Sequence, residues 1–342
     1  MTEIVKKIAP DILSLIKSST SVLLHCHPSP DPDSVGSALA MKLVLESLGK
    51  KVTVIAGDSE IPKAFSHFPG FASIVPKNFF EIDLAAFDLF IIQDSGSPEM
   101  ISRKSPIVDG AAQPIIFPSG LKTVVIDHHI SNKKFANDIN LVDATYPSTT
   151  LLLLDLFKEW GIVLNPDIAA NLFIGAFTDT GGFRYENTTA ETLLSASELA
   201  RTAPHFLDVV SQMENSRTPS ELIVHGIALS NIEVFADVHM AIAAVTLADL
   251  EKKGIDAKDA SSGGVAGQLK SVVGWDIGIC IVEIEPGLFK GSMRTRDSEK
   301  YDLSKLALML GGGGHKAAAG IRVTGTLAEA KQKIVDAARA ML

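Results

Sequence analysis

The chain has 342 residues, of which 46% are hydrophobic and 21% charged, a composition typical of a globular protein of about two domains. Its formal net charge is −9 at pH 7, with 31 basic against 40 acidic residues, and no basic run stands out. This balance argues against binding of long duplex nucleic acid, which needs a basic surface, but it allows short phosphorylated substrates, because bound divalent cations can supply positive charge.

The two cysteines and the pattern of apolar residues set further limits. Cys26 and Cys280 are too few and too far apart in sequence for a disulfide framework or a thiolate zinc site, and they fit a reducing cytoplasm. Residues 1–18 mix charged and apolar positions at helical spacing, which predicts an amphipathic helix rather than a signal peptide. Since no apolar run approaches the length of a membrane span, we expect a cytoplasmic protein without a membrane partner.

The first half of the chain alternates strand and helix patterns. The predicted elements are strands at 21–27, 51–56, 87–94 and 122–127, and helices at 34–48, 148–160, 166–178 and 190–201. Such alternation, with continuously apolar strands, is typical of a doubly wound parallel sheet covered on both faces. Residues 98–120 are rich in Pro, Ser and Gly, which predicts a long loop, and their role is left open.

The second half predicts a helical connector followed by a smaller α/β domain. Residues 205–235 carry a helical pattern and are interpreted as the connector. The elements predicted after it are a strand at 239–246, a helix at 264–272, a hairpin of 276–285 and 289–294, a helix at 303–310, a further strand and a helix at 328–341. The predicted organisation is therefore two α/β domains, 1–204 and 236–342, joined by a helical segment.

Titratable residues follow directly after several apolar runs, and the clearest example is the triplet Asp127-His128-His129. It follows a predicted strand directly, at the edge where open α/β sheets bind ligands. His27 also ends a predicted strand, and Asp31 and Asp33 follow it two residues apart, so that both carboxylates can face one side. Carboxylates suit hard divalent ions, and imidazole adds a preference for manganese-like metals. A turn with a helix N-cap explains the two aspartates equally well, but it does not explain His27.

Two further aspartates occupy comparable positions. Asp94 follows a predicted strand, where it can also be interpreted as a residue that starts a turn. Asp179 stands at the predicted C-terminus of a helix, where a carboxylate opposes the helix dipole unless a cation lies beside it. Four aspartates that converge without a cation repel one another, so the complete set predicts metal binding.

Together these motifs resemble the DHH phosphoesterase superfamily, and the second half of the chain resembles its DHH-associated domain. The resemblance covers almost the whole chain and rests on an ordered set of motifs: His27…Asp31-x-Asp33…Gly36-Ser37, Asp94, Asp127-His128-His129, Asp179-Thr180-Gly181 and Gly312-Gly313-Gly314-His315-x-Ala317-Ala318-x-Gly320. The two-domain arrangement resembles the nanoRNase/pAp phosphatase branch. This implies a catalytic domain at 1–204 and a DHH-associated substrate-binding domain at 236–342.

The resemblance implies a centre of two divalent ions, with manganese the expected metal. The implied ligands are His27, Asp31 and Asp94 for one ion and Asp33, Asp94, His128 and Asp179 for the other, with Asp94 as the bridge. His129 is expected to stabilise phosphate or donate a proton. Asp127 is expected to orient a histidine rather than bind metal. Two such ions can activate water and clamp both sides of an in-line displacement at phosphorus.

The same resemblance implies a set of substrate-binding residues. They are Arg184, Arg294, Gly312, Gly313, Gly314 and His315. Each has a second interpretation: the glycine run can be a flexible loop, and Arg184 can pair with Glu186. Arg296 can equally be a surface charge or a binding residue.

The implied activity is manganese-dependent hydrolysis of short oligoribonucleotides, with 3′-phosphoadenosine 5′-phosphate (pAp) as a second candidate substrate. A cyclic-dinucleotide phosphodiesterase of the cyclic di-AMP type is an alternative that no residue excludes. A manganese-dependent inorganic pyrophosphatase shares the first-domain motifs, but the glycine motif argues against it. A non-catalytic nucleotide-binding protein is a further alternative, and a homodimer stays open.

Overall fold

The computed structural model describes residues 1–58, 60–108, 111–261, 263–314 and 316–341. Contacts divide the chain into two compact units, Met1–Ser216 and Arg217–Leu342. Each unit is built around its own six-stranded sheet. The domain limits predicted from the sequence, at residues 204 and 235, stay a prediction. Within the described residues no helix is long and apolar enough to cross a membrane.

The first unit is a parallel α/β layer structure. Its helices are α1 (Glu3–Ser18), α2 (Pro32–Ser47), α3 (Thr149–Glu159), α4 (Pro166–Asp179), α5 (Ala190–Thr202) and α6 (Phe206–Glu214). Its strands are β1 (Ser21–His25), β2 (Lys51–Ile55), β3 (Ile74–Val75), β4 (Leu89–Gln93), β5 (Ile107–Val108), β6 (Ala111–Ala112), β7 (Lys122–Asp127) and β8 (Ile139–Val142). The main sheet has the order β3-β2-β1-β4-β7-β8, and all its pairs are parallel. The strand order reverses between β1 and β4, and ligands bind beyond the carboxyl ends of strands at such a switch point.

Both faces of this sheet are buried, which explains why its strands are almost continuously apolar. Val22 and Leu24 of β1 belong to a large core shared with residues of α1 to α6. Leu23 points to the opposite face and belongs to a second cluster that includes Phe79 and Phe90. The predicted α/β class with a parallel N-terminal sheet is confirmed.

Helix α2 begins at the turn that carries the two aspartates. The N-cap is Asp31, whose carboxylate accepts a hydrogen bond from the Ser34 N–H at 3.0 Å. A Cβ on Gly36 would lie 2.5 Å from the carbonyl oxygen of Asn171 in α4. Glycine therefore permits the close crossing of α2 and α4, and it fixes the position of Asp33 in the first turn of α2.

The second unit is built on a mixed sheet. Its helices are α7 (Pro219–Ser230), α8 (Leu247–Glu251), α9 (Val265–Leu269), α10 (Leu303–Met309) and α11 (Leu327–Met341). Its strands are β9 (Ile232–Phe235), β10 (Met240–Val245), β11 (Ile277–Glu285), β12 (Leu288–Thr295), β13 (Gly313–Gly314) and β14 (Ala318–Thr324). The order is β13-β14-β12-β11-β10-β9, in which β10 and β11 run parallel and the other neighbours run antiparallel. The hairpin predicted at 276–285 and 289–294 corresponds to β11 and β12.

The structure differs from the prediction in short elements. The segment 205–235 ends in the strand β9 rather than in a helix, because Ile232–Phe235 pairs with β10 along its whole length. The predicted loop 98–120 contains the short antiparallel strand pair of β5 and β6. Strands β3 and β8 were not predicted, since they have only 2 and 4 residues and depend on pairing with neighbours for their stability.

Candidate active site

The carboxyl ends of three adjacent strands bring the predicted residues together. His27 lies two residues beyond β1, Asp94 follows β4 directly, and Asp127 is the last residue of β7. Because β1 pairs with β4 and β4 with β7, in parallel, their ends meet at one edge of the sheet. Asp94 has a φ of +51°, in the left-handed region, so the chain turns sharply here. Aspartate is one of the few side chains that tolerate this conformation.

One set of donors, called here the His27 group, contains His27, Asp31 and Asp94. The His27 Nε2 atom lies 3.5 Å from an oxygen of Asp31 and 3.4 Å from Oδ2 of Asp94. Its Nδ1 atom lies 3.1 Å from the carbonyl oxygen of Pro28, so Nε2 is the nitrogen presented to the carboxylates. Burial alone would lower the pKa of His27, but the two carboxylates outweigh it and raise the pKa well above its usual value. The three ligand atoms lie close enough to hold one metal ion.

A second set, called here the His128 group, contains Asp33, His128 and Asp179. The His128 Nε2 atom lies 4.0 Å from Asp33 Oδ2 and 3.4 Å from Asp179 Oδ2. Its Nδ1 atom lies 3.3 Å from the carbonyl oxygen of Tyr146. The Nε2 atom is buried and has no hydrogen-bond partner within the described part of the chain. A buried imidazole nitrogen that faces carboxylates without a hydrogen bond fits a metal ligand.

Asp94 lies between the two groups. Its Oδ2 atom faces His27, whereas its Oδ1 atom lies 3.6 Å from His128 Nε2. Burial acts to raise the pKa of Asp94, but the hydrogen bond with His27 and the charges of the neighbouring histidines outweigh it and lower the pKa. One carboxylate therefore faces both donor groups with different oxygens.

Ionisation of Asp33 and Asp179 is unfavourable in these surroundings. Burial, followed by the charges of Asp94 and Asp31, raises the pKa of Asp33 well above its usual value. Burial and the charge of Asp33 do the same for Asp179, at the end of α4. Divalent cations would remove this repulsion, so the donor set fits metal ions in both chemistry and charge.

Sequence reasoning missed the threonines that hold this site. The N–H of Thr149 donates to Asp33 Oδ2 at 2.7 Å, and both the N–H and the hydroxyl of Thr150 donate to Asp33 Oδ1, at 3.0 and 2.7 Å. The hydroxyl of Thr149 also donates to Asp94 Oδ1 at 3.1 Å. The N-terminus of α3 thus fixes two carboxylates. The available signal was a run of Ser-Thr-Thr that opens a predicted helix otherwise rich in leucine.

Within the triplet, Asp127 supports His129. Asp127 is fully buried, and His129 Nδ1 lies 2.6 Å from its Oδ1 atom. Burial alone would lower the pKa of His129, but Asp127 and Asp94 raise it to about 9. Asp127 contributes to none of the donor groups found among the described residues, whereas His129, with Asp94 and His128, forms a third group close enough for a metal.

Arg184 lies in the turn that follows Asp179. The turn needs glycine, since Gly181 and Gly182 have φ values of +59° and +69°. The Arg184 Nε–H donates to the carbonyl oxygen of Gly181 at 2.6 Å, and the side chain is exposed. Among the described residues Arg184 forms no ion pair with Glu186, so that alternative interpretation finds no support.

The substrate-binding residues predicted in the second unit lie near β12 and β14. Arg294 of β12 is half-buried and donates to the carbonyl oxygen of Met293 at 2.9 Å. Gly312 and Gly314 pack closely against β14, whereas a Cβ on Gly313 would meet no atom within 4 Å. His315 lies outside the described residues.

The sequence allowed Arg296 to be either a surface charge or a binding residue. In the structure its side chain forms hydrogen bonds with backbone carbonyls. Its guanidinium donates to the carbonyl oxygens of Lys270, at 3.0 and 2.6 Å, and of Val272, at 2.7 Å. Three such bonds indicate that Arg296 stabilises the second unit.

Comparison with known proteins agrees with this arrangement. A model of the DHH family N-terminal domain matches residues 21–176, and a DHHA1 domain model matches residues 237–342. Similar proteins include the bifunctional oligoribonuclease and PAP phosphatase NrnA of Thermus thermophilus, 27% identical over 93% of this chain and 89% of the relative. The Bacillus subtilis protein of the same name is 26% identical over 92% of each chain.

A solved structure supports the same relationship. The exopolyphosphatase-related protein from Bacteroides fragilis is 25% identical, and its crystal structure superposes with a TM-score of 0.85 over 98% of this chain and 96% of its own. The two family models confirm the resemblance stated from the motifs. The chain belongs to the DHH family and is a metal-dependent phosphoesterase.

Proposed function

We propose that this phosphoesterase hydrolyses short oligoribonucleotides and pAp with the help of two divalent ions, manganese being the resident metal. The observation that carries the proposal is the position of Asp94, whose two oxygens face separate donor groups. A single-ion site would not need a carboxylate shared in this way. The names of the Thermus thermophilus and Bacillus subtilis relatives support the choice of substrates.

The ligands follow from the two donor groups. We assign the His27 group to one ion and the His128 group to the other, with Asp94 as the bridge. When bound, two such ions activate a water for attack at phosphorus and offset the charge that develops on the phosphate. Thr149 and Thr150 hold the carboxylates of Asp94 and Asp33 in place for the ions.

His129 would act on the phosphate rather than as a metal ligand. Its Nδ1–H is held by Asp127, so Nε2 is the atom proposed to carry the reactive proton. Without metal, the hydrogen bond with Asp127 and the charge of Asp94 raise the pKa of His129 to about 9, which favours the protonated imidazole. A protonated ring can stabilise a phosphate oxygen and donate a proton to the leaving oxygen.

The C-terminal domain, for which we propose residues 236–342, would hold the substrate. Arg294 would contact phosphate, and the glycine motif with His315 would approach the nucleotide. Gly313 supports this assignment. Close packing against β14 requires glycine at Gly312 and Gly314, but no neighbouring atom requires it at Gly313, which leaves space for a ligand to approach. Arg184 would contact phosphate from the first unit.

A direct comparison of substrates tests the proposal. Purified protein, stripped with chelator and reloaded with Mn²⁺, would be assayed in parallel with a diribonucleotide, pAp, cyclic di-AMP and pyrophosphate. We expect the diribonucleotide and pAp to be hydrolysed fastest, and activity to disappear on chelation and return with Mn²⁺. Faster turnover of cyclic di-AMP or pyrophosphate would overturn the substrate assignment, and tight dinucleotide binding without turnover would indicate a binding protein.

A further inference from the structure

We infer that Asn132 is a positioning residue that orients His129 through Asp127. The inference rests on the role proposed above for His129. The Asn132 Nδ2 atom donates to Asp127 Oδ2 at 2.7 Å, while Asp127 Oδ1 is bound to His129 Nδ1 at 2.6 Å. The three side chains therefore form a continuous chain of hydrogen bonds that ends at the imidazole.

The amide of Asn132 is held in one orientation. Its oxygen accepts a hydrogen bond from the Lys134 N–H at 2.6 Å. Its nitrogen donates both to Asp127 and to the carbonyl oxygen of Ser95, at 3.1 Å. Rotating the amide by half a turn would set its NH₂ group against the Lys134 N–H and its oxygen against two acceptors, so the assignment of oxygen and nitrogen is determined by the partners.

Asn132 thereby controls the plane of the Asp127 carboxylate. Rotation about the last side-chain bond of an aspartate is loosely restricted, so one hydrogen bond alone leaves it a range of orientations. With one oxygen held by Asn132 and the other by His129, the fully buried carboxylate has a single orientation. Without Asn132, the buried Oδ2 atom would lose this donor, and the carboxylate could turn and carry the imidazole with it.

The same residue connects His129 to the strand end that carries Asp94. Ser95, whose carbonyl accepts from Asn132, follows Asp94 directly. Next to this bond the Lys133 N–H donates to the carbonyl oxygen of Gly96 at 2.9 Å. These hydrogen bonds hold the loop that carries His129 next to Asp94. Their loss would matter because even a small displacement of an acid–base group from the reacting atoms lowers the reaction rate.

A double-mutant cycle tests whether Asn132 acts through His129. Turnover of a diribonucleotide at saturating Mn²⁺ would be measured for the wild type, Asn132→Ala, His129→Ala and the double variant. We expect Asn132→Ala to lower kcat about 10-fold, as the loss of outer supporting hydrogen bonds often does, with little change in KM. In the His129→Ala background the same change should cost nothing further. An equal loss of kcat in both backgrounds would overturn the inference.

Two more variants separate positioning from folding. Asn132→Asp keeps the size of the side chain and the acceptor for Lys134 but loses the donor to Asp127, so we expect its kcat to fall at least as far. Asn140 stabilises the same connection between β7 and β8 through two hydrogen bonds with the backbone of Ala136. Asn140→Ala should therefore lower the melting temperature and leave kcat unchanged. An equal fall of kcat in this variant would assign the effect of Asn132 to loop stability.

A spectroscopic measurement decides the question without any substrate. With ¹⁵N-labelled histidine, the proton on His129 Nδ1 should give a strongly deshielded signal, because its hydrogen bond to Asp127 is short. We expect this signal to shift or broaden in Asn132→Ala at constant pH and to persist in Asn140→Ala. An unchanged signal in Asn132→Ala would overturn the inference. If the wild type failed to hydrolyse the diribonucleotide, the proposed function would fail while this measurement still tested Asn132.

Discussion

Charged residues lie in different surroundings in the two sheets of the molecule. In the parallel sheet, neighbouring strands end at one edge, and Asp94 and Asp127 meet there with the histidines of two loops. In the mixed sheet of the second unit, Arg294 and Arg296 donate to backbone carbonyls. Parallel strands place their carboxyl ends at one edge, so the carboxylates there repel one another unless a cation lies beside them. The strands of an antiparallel hairpin end at two opposite edges, and the arginine side chains there find hydrogen-bond acceptors in the nearby backbone.

If this contrast is correct, the first unit governs the chemical step and the second governs binding. Changes at the strand ends of the first unit should then act mainly on kcat and metal affinity. Changes at β12 should act mainly on KM or on stability.

The largest effect should come from Asp94→Asn. Asparagine tolerates the positive φ of this position, so the variant removes charge without the backbone strain that alanine would add. We expect kcat to fall by about 10³-fold or more, because the two proposed ions would lose the charged carboxylate that they share. Calorimetry should detect weaker Mn²⁺ binding as well.

Asp88→Asn is the matched control for that variant. Asp88 precedes β4 at the opposite edge of the sheet and accepts from the N–H groups of Thr20 and Ser21. It should lower the melting temperature and preserve kcat. A similar loss of kcat in both variants would remove the distinction between the two edges of the sheet.

His129→Ala should have the next largest effect. If His129 has the proposed acid–base role, its loss should lower kcat by about 10²-fold or more. Both proposed metal ions should remain bound if Asp127 and His129 lie outside the ligand set. Metal content by atomic emission, measured beside kcat, checks this division. His205→Ala, which changes an exposed histidine at the start of α6, should alter neither quantity. Loss of metal from His129→Ala would instead make His129 a ligand.

The pH dependence of metal binding should be of intermediate size. His27, Asp33 and Asp179 have raised pKa values without metal, so protons compete with the ions for these three groups increasingly as the pH falls. Affinity for Mn²⁺ should therefore fall as pH falls, by roughly tenfold per pH unit for each proton displaced. Calorimetry in buffers of different ionisation enthalpy counts the released protons.

An affinity that does not change with pH, with no proton release, would contradict the pKa shifts of the cluster. Arg296→Ala serves as the control in this experiment. It changes the net charge in the second unit, at a residue bound to the backbone, and should release the same number of protons.

The smallest effects on activity should come from the second unit. Arg294→Ala should raise KM about tenfold through loss of the proposed charge-assisted hydrogen bond to phosphate, with kcat nearly unchanged. Arg296→Ala is its matched control on the same strand end, and it should leave KM unchanged but lower the melting temperature. A large fall of kcat in Arg294→Ala would give the second unit a share in the chemical step.

Much of the first unit could be predicted from the sequence because its information is local. Apolar runs that end in polar residues predicted β1, β4 and β7, and the observed strand Lys122–Asp127 has the predicted limits. The same runs predicted which edge would carry Asp94 and the triplet. Strands β3 and β9 were not predicted, because short edge strands are stabilised by pairing with neighbouring strands rather than by the apolar pattern of their own residues.

Apolar periodicity and turn residues therefore sufficed to predict the parallel sheet and the strand ends that carry candidate donors, since both depend on neighbours in the chain. Which of these residues are expected to bind metal came from the resemblance to the DHH superfamily. The support of Asp33 by Thr149 and Thr150 could not be predicted in this way, because it joins residues more than a hundred positions apart. The bond between Asn132 and Ser95, which are 37 positions apart, could not be predicted from local patterns either. Folding in three dimensions determines which oxygen faces which donor, because hydrogen bonds depend on distance and direction rather than on sequence separation.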